Sequence, residues 1–523
     1  MSEGIILAHD LGTTGNKASL YDSSGTLIAS CYHPYETYYP KPGWVEQRPE
    51  DWWQAFVHST RHVMDSANIP PDKIGGISFS GQMMSQIPVD STGSPLQDSV
   101  CIWADHRSQE QADSISGRIG WSNFYSTTGA GMEIAIYPIA KILWLKENAP
   151  DVYSATHKFL GAKDVLINRL TGRLVTDYSE ASNTGLLDIH TRRWASDMLE
   201  ELGIDVDKLA EEILPSSSVV GRVAAAASQE TGLKEGTPVV LGGGDVACAA
   251  LGAGVIREGS VYNYIGSASW LAVASSKPIL DEQMRPFSLC HVVPDMHVVQ
   301  LAMFCAGVAY NWFKEQICLL EGAYAGLRDL DAFELMNELA AESPPGANGL
   351  IFLPDMRPGG APHNNLRTHG ALIGLTLAHG RGDILRAVLE GITFNIRLMA
   401  DAMEKEVDVP FKEMRLIGGG SKGQLWREIE ASVLNTPVCT FAAQQEANSL
   451  GAAIIAGVAL GIFADFGDAV SRFVAVQQIT QPVPENVAVY ERLFPLFNRS
   501  YDALVGVNSD LVDFRNEQPA DSD

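Results

Sequence analysis

Three stretches of this chain carry backbone and side chains suited to handling a phosphoryl group. They are Asp10-Leu11-Gly12-Thr13-Thr14-Gly15-Asn16-Lys17, then Val239-Val240-Leu241-Gly242-Gly243-Gly244-Asp245, then Tyr264-Ile265-Gly266-Ser267-Ala268-Ser269. In the first, Gly12 and Gly15 allow close backbone approach, Thr13 and Thr14 offer hydroxyls, and Lys17 offers a cation. N–H groups aimed by such a turn bind phosphate oxygens. Asp10, ending an apolar run, could hold Mg2+ through water. The same residues would equally serve an ordinary hairpin, and the stretch lacks the Gly-Lys-Ser/Thr ending of a Walker A loop. Three successive glycines at 242–244 cost backbone entropy, which is intelligible where two lobes and a substrate crowd the chain. The carboxylate of Asp245 could take the proton of a hydroxyl nucleophile. Taken alone, Asp245 reads better as the N-cap of a helix over 246–251. Beside the two turns it reads as a base.

Gly418-Gly419-Gly420-Ser421 ends a further strand, expected over 414–417, and opens a helix. Open backbone at a helix start suits a nucleotide's ribose, phosphate or base edge, although a tight strand–helix turn would look the same. Two more segments could wall a pocket: Ser80-Gly81-Gln82-Met83-Met84, and Ile102-Trp103-Ala104-Asp105-His106-Arg107. Trp faces pack on sugar C–H surfaces while Asp and Arg bond hydroxyls. From composition alone, a core Trp and a surface Asp–Arg pair is the better reading.

The elements that must carry these residues alternate between strand and helix, the pattern of layered α/β structure. Residues 4–9, 18–21 and 26–30 read as a β-meander. Helices are expected from Asp51 and over 139–146, 383–404, 422–434 and 486–504. Near 252–259 the chain begins again, with strand, Gly266 turn and strand repeating the opening order. At 523 residues the chain is too long for one core and calls for two lobes. A formal charge of −26 excludes nucleic acid and anionic membrane as partners, since both need clustered Lys and Arg. The seven cysteines lie scattered and read as reduced thiols. The first residues show no signal-peptide pattern, and the longest weakly polar run, 450–463, is glycine-broken and too short to span a membrane. These features point to a cytoplasmic protein.

In their joint order these stretches resemble the FGGY carbohydrate kinase family, in its xylulokinase-like branch. The resemblance runs over about residues 4–500 and takes in 80–84, 102–108, Ala181-Ser182-Asn183-Thr184-Gly185, 242–245 and 418–422. Its most diagnostic part is Gly370-Ala371-Leu372-Ile373-Gly374-Leu375, followed by Asp383-Ile384 and Ala387-Val388-Leu389-Glu390. The resemblance implies an α/β, two-lobed actin/Hsp70-like (ribonuclease H-like) ATPase fold with ATP and sugar in a central cleft. It implies an N-terminal lobe over 1–254, a C-terminal lobe over 255–507, and an acidic tail over 508–523 that frays. Asp245 would be the catalytic base, and Asp10 with Asp245 would organise Mg2+. Gly12, Thr13, Thr14, Lys17, Gly266 and Ser267 would hold phosphates, while Gly419, Gly420, Ser421 and Gln424 would border the adenosine. Gln82, Met83, Met84, Trp103, Asp105, Arg107 and Asp245 would line the sugar site.

The implied reaction moves the γ-phosphate of ATP to a primary hydroxyl of a ketose, foremost D-xylulose, to give D-xylulose 5-phosphate. Another ketose, a deoxy sugar or a polyol comes next, and a non-catalytic actin-like protein or sugar sensor is more remote. A homodimer is left open. The chain departs from the branch at Met84, where relatives have His, and at Val246, where they often have Asn. It also has Gly266-Ser267-Ala268 for Gly-Thr-Ser, and Gly359-Gly360-Ala361-Pro362 where Gly-Glu-Arg-Ser-Pro is common. The first two departures remove polar partners, and a site without a partner selects weakly for the hydroxyl it would have bonded.

Overall fold

The structure, a computed structural model, describes residues 4–441 and 446–517. Strands Ile5–Leu11 and Gly15–Tyr21 form an antiparallel hairpin closed by the Gly12 turn, with Asp10 opposite Lys17. Leu27–Pro34 completes the meander on one flank. On the other flank Ile74–Gly81 and then Pro238–Val240 run parallel to the first strand, and Val219–Arg222 closes the edge antiparallel. Parallel neighbours need crossover segments. One is the helix Pro49–Ser66, which buries Trp52, Trp53, Phe56 and Val63 against this sheet.

The second sheet repeats the scheme. Val261–Ile265, Ser269–Ser275 and His297–Met303 form an antiparallel meander. Met414–Ile417 and Val438–Phe441 follow in parallel, and Val476–Thr480 closes antiparallel. Phe287–Cys290 is added outside His297–Met303. The Gly12 and Gly266 turns therefore occupy equivalent places, each joining the first two strands of its sheet.

The two sheets face a shared core crossed by the helices Asp245–Gly252 and Ala447–Ala459. Most of the glycine-broken run at 450–463 thus becomes a buried inter-lobe helix, which ends at Ala459. Its glycines permit backbone contact: a Cβ on Gly451 would lie 2.1 Å from Cys248 O, and one on Gly252 would lie 1.9 Å from Ala447 O. No described helix is long and apolar enough to cross a membrane.

The stretch most diagnostic of the resemblance is architectural. Asp383 accepts from Gly380 N–H and Asn348 Nδ2, each at 2.8 Å, at the start of the helix Arg381–Val407. Further along, buried Glu390 bonds Arg386 and the hydroxyl of Tyr490, each at 2.8 Å. The C-terminal expectation needs correction. The last helix is Pro484–Glu517, and Arg367 bonds Ser509 at 2.8 Å, so residues 508–517 continue the helix rather than fray. The rest of the expected tail, 518–523, lies outside the described residues.

Candidate active site

Ser80, at the end of the central strand Ile74–Gly81, stands opposite Asp10 on one side and Gly243 on the other. Its hydroxyl donates to Asp10 Oδ1 at 2.9 Å, and Asn448 Nδ2 reaches the same oxygen at 3.2 Å. Gly242 has φ +70, and a Cβ there would lie 2.0 Å from Phe79 O. That turn needs glycine on both counts. It lays Gly243–Gly244 along the strand end and puts Asp245 in the first turn of its helix, where Oδ1 accepts the N–H of Val246 at 2.8 Å. Gly244, not Asp245, holds the N-cap position.

Burial, then the charge of Asp10, pushes Asp245 up to about 7. Burial also raises Asp10, against its bonds from Ser80 and Asn448 and the nearby Lys17. Two carboxylates held near one another in a low-dielectric cleft suit a divalent cation shared with phosphate oxygens and water. Among the described residues no group of three or more His, Cys, Asp or Glu side chains could hold a metal, so the fit is to that sparse kind of site.

In the first turn Gly12 N–H donates to Gly15 O at 3.0 Å, and Tyr32 OH donates to Thr14 Oγ1 at 2.9 Å. Trp103 Nε1 donates to Thr13 Oγ1 at 3.0 Å, which docks the expected sugar wall onto the phosphate turn. Lys17 is part-buried and paired with Glu446 at 3.1 Å, so its ammonium is shared across the lobes.

In the second lobe Gly266 N–H donates to Ala268 O at 2.9 Å, and Ser267 is exposed. Behind this turn Ser269 Oγ bonds Asn263 Oδ1 at 2.8 Å, and Asn263 bonds buried Glu430 at 2.9 Å. The 418–420 turn packs against the same place, since a Cβ on Gly420 would lie 2.4 Å from Ile265 Cγ2. Gly419 is exposed and Gly420 half-buried. Ser421 is buried beneath them and donates to Gly418 O at 2.6 Å, so it holds the turn rather than bordering a ligand. Gln424 is exposed and bonds Glu428 of its own helix at 2.8 Å.

The sugar-wall residues divide. Gln82 continues from the strand, its N–H donating to Leu11 O at 2.7 Å and its Nε2 to Gln47 at 2.8 Å. Its Oε1 is buried with no partner among the described residues. Met83 packs where a Cβ on Gly244 would fall, 2.5 Å from its Sδ. Met84 is buried with φ +63, and Trp103 is 43% exposed.

Asp105 and Arg107 correct the expectation that they bond substrate. Arg107 stacks 3.6 Å over Trp44 and pairs with Asp105 and Glu46, each at 2.7 Å, while Asp105 also accepts Val45 N–H at 2.6 Å. Both are committed to a buried network that shapes the loop behind Trp103. The bland reading is reversed in detail, since the Trp is at the surface and the Asp–Arg pair is inside.

Residue typing missed the group that holds this loop. Lys141, in the helix Pro138–Asn148, donates to Met84 O at 3.1 Å and Ile102 O at 2.7 Å. Burial lowers it to about 8. One ammonium therefore fixes both sugar-wall segments and stabilises the left-handed backbone at Met84. The signal was a lysine inside the apolar run Pro138-Ile139-Ala140-Lys141-Ile142-Leu143. Hydrogen bonds from a charged group contribute about 1.5–3 kcal/mol. Lys141→Met should therefore raise the sugar KM about tenfold or more and leave the ATP KM within about twofold, as steady-state kinetics would read. Asn448 and Glu446 were also missed, because their helix read as an apolar run. The second lobe closes on the carboxylates through them and through Tyr262, which feels the charge of Asp245 and accepts Trp270 Nε1–H at 3.1 Å.

Comparison with known proteins gives the family of the chain. The chain is 32% identical over 513 residues to a xylulose kinase of Lactococcus lactis subsp. lactis (strain IL1403), covering 98% of this chain and 99% of that protein. A gluconokinase of Bacillus subtilis (strain 168) is 28% identical over 512 residues, covering 98% of each. The crystal structure of a ligand-bound xylulose kinase from Lactobacillus acidophilus superposes with a TM-score of 0.87 at 27% identity, covering 97% of this chain and 100% of that one. The two lobes have the actin/Hsp70-like ATPase fold of these kinases. Residues 5–252 match the N-terminal domain, and 261–460 the C-terminal domain, of the FGGY family of carbohydrate kinases. The chain belongs to that family and is an ATP-dependent sugar kinase.

Proposed function

We propose that this kinase phosphorylates a primary hydroxyl of a ketose, foremost D-xylulose, to give D-xylulose 5-phosphate. The observation that carries the reading is the placement of Asp245 at the start of its helix, beside the strand end that holds Asp10 and directly after Gly244, against which Met83 packs. The full-length similarity to xylulose kinases supports it.

In this reading the substrate hydroxyl donates to the free oxygen of Asp245, which takes the proton as the hydroxyl oxygen attacks the γ-phosphorus of ATP and the bond to the β,γ-bridging oxygen breaks, ADP leaving with its electron pair. Phosphoryl transfer has a loose transition state, so positioning and charge neutralisation carry most of the catalysis. The N–H groups of the Gly12 and Gly266 turns, with Thr13, Thr14, Ser267 and Lys17, hold the phosphates. Gly419 and Gly420 border the adenosine. Asp10 and Asp245 would hold Mg2+ with phosphate oxygens and water, and the ion would supply neutralising charge there. Closing the lobes about the crossed helices excludes water.

A second reading rests on Met84 and Val246, which put apolar surface where the branch has His and often Asn. It names a different ketose, a deoxy sugar or a polyol as substrate, and the similarity to a gluconokinase keeps acidic sugars in the test. The experiment is ADP release by purified protein with Mg·ATP over ketoses, deoxy sugars, polyols and gluconate, against a no-sugar control. The largest kcat/KM with D-xylulose is expected. A larger value with any other compound transfers the assignment to it, and no stimulation by any of them would sink the reading.

A further inference from the structure

The helix that follows residue 177 lines no wall described above, yet one of its side chains, Ser179, ends on the backbone that carries Asp245. Asp177 closes the strand Val175–Asp177 and caps the helix Tyr178–Ser182, its Oδ2 accepting the N–H of Ser179 at 2.9 Å. The same oxygen accepts the hydroxyl hydrogens of Ser179 and of Ser216, the latter at 2.8 Å. The other oxygen, Oδ1, lies 2.8 Å from Lys163 Nζ, which also pairs with Asp164 at 2.6 Å. All of these side chains are shut off from solvent. Glu180 lies beside them with both oxygens buried and without hydrogen-bond partners among the described residues. Burial, opposed by Lys163 and reinforced by Asp164 and Asp177, holds its carboxyl well above the ordinary range. A neutral Glu180 leaves the single ammonium to the two aspartates.

A hydroxyl carries one hydrogen. That of Ser179 goes to Asp177, so its lone pairs are left to face Gly244, whose N–H donates to it at 2.9 Å. Gly244 is the N-cap of the helix that Asp245 opens. On its other edge Gly244 pairs with Gly81, on the strand that holds Asp10 through Ser80. The gap is filled: a Cβ on Gly243 would lie 2.9 Å from Ser179 Oγ and 2.5 Å from Val292 Cγ1.

We infer that Ser179, oriented by Asp177 and through it by Lys163, is a positioning residue that sets the place of Asp245 relative to Asp10; this rests on Asp245 being the base. A misplacement of about 1 Å can cost about a hundredfold in rate. None of the three side chains reaches the cleft, so their loss acts on kcat and not on binding.

The test is steady-state kinetics of full-length Ser179→Ala and Ser216→Ala with the best sugar of the panel. Ser216→Ala removes a bond to the same carboxylate oxygen without touching Gly244 through its side chain. Ser179→Ala should lower kcat roughly 10- to 100-fold with both KM values within about twofold. Ser216→Ala should keep kcat within about twofold. An unchanged kcat in Ser179→Ala, or equal losses in both variants, would overturn the inference. Should Ser179→Ala fail to fold, Ser179→Cys, which keeps the size but accepts weakly, is read the same way. If wild type responds to sugar and the Ser179 variants match it, the positioning role falls alone. If wild type responds to no sugar, the proposed function falls and takes this inference with it.

Discussion

Asp245→Ala is expected to abolish useful turnover, with kcat falling by about 10²- to 10⁴-fold, the range a general base contributes. The thermal midpoint should stay near wild type. The side chain holds no other side chain among the described residues, its bond being to the N–H of Val246. Removing it also relieves a like-charge contact with Asp10. The pH dependence of the wild type gives the matching signature. Burial and Asp10 raise Asp245 to about 7, so its proton is bound below that pH and the base is lost. kcat/KM should rise with pH and level off above about 7, and this acid limb should vanish in Asp245→Asn. Near-wild-type activity in Asp245→Ala, measured by ADP release and sugar-phosphate formation, would remove Asp245 from the chemistry.

The second large effect belongs to the helix crossing between the lobes. Gly451→Val should destabilise the protein by about 3 kcal/mol or more and cut the yield of folded kinase. The new Cβ would fall 2.1 Å from Cys248 O, in a core that joins Ile6 and Ala8 of one sheet to Tyr262 and Ala272 of the other. A backbone carbonyl cannot rotate away as a side chain can, so the helices must part. Their ends carry Asp245 and Asn448, and the separation should therefore lower kcat in whatever fraction folds. Thermal unfolding followed by kinetics on the soluble fraction checks both points. A wild-type midpoint would show that the crossing has slack.

How much of the fold the residues alone specify depends on the range of the interaction. The expected strand over 414–417 coincides with Met414–Ile417, and the meander and the helices other than the last agree to within a few residues. Period-two and period-3.6 patterns, with glycine and proline punctuation, are local signals. The last helix runs past the expected end at 504 to Glu517, although its final turns are polar. They stay helical through packing that includes Arg367, more than a hundred residues away, on Ser509 and on Asp513 at 2.5 Å.

The candidate site divides in the same way. Gly12, Gly242 and Gly266 could be recognised because a turn's backbone demand is written at the turn itself. Asp105 and Arg107 could not be sorted from ligand-binding residues, because their partners Trp44, Val45 and Glu46 are defined by where loops fold back. Lys141, Asn448 and Ser179 were invisible as site residues for the same reason. Each acts on backbone or carboxylate of the site 39 or more positions away along the chain. The α/β alternation and the three glycine turns could be read from the residues, since period and turn chemistry are local properties, and chain length called for two lobes. Tertiary structure decided which polar groups face the cleft and which are spent holding it, because a buried polar side chain must find its partner wherever the fold brings one.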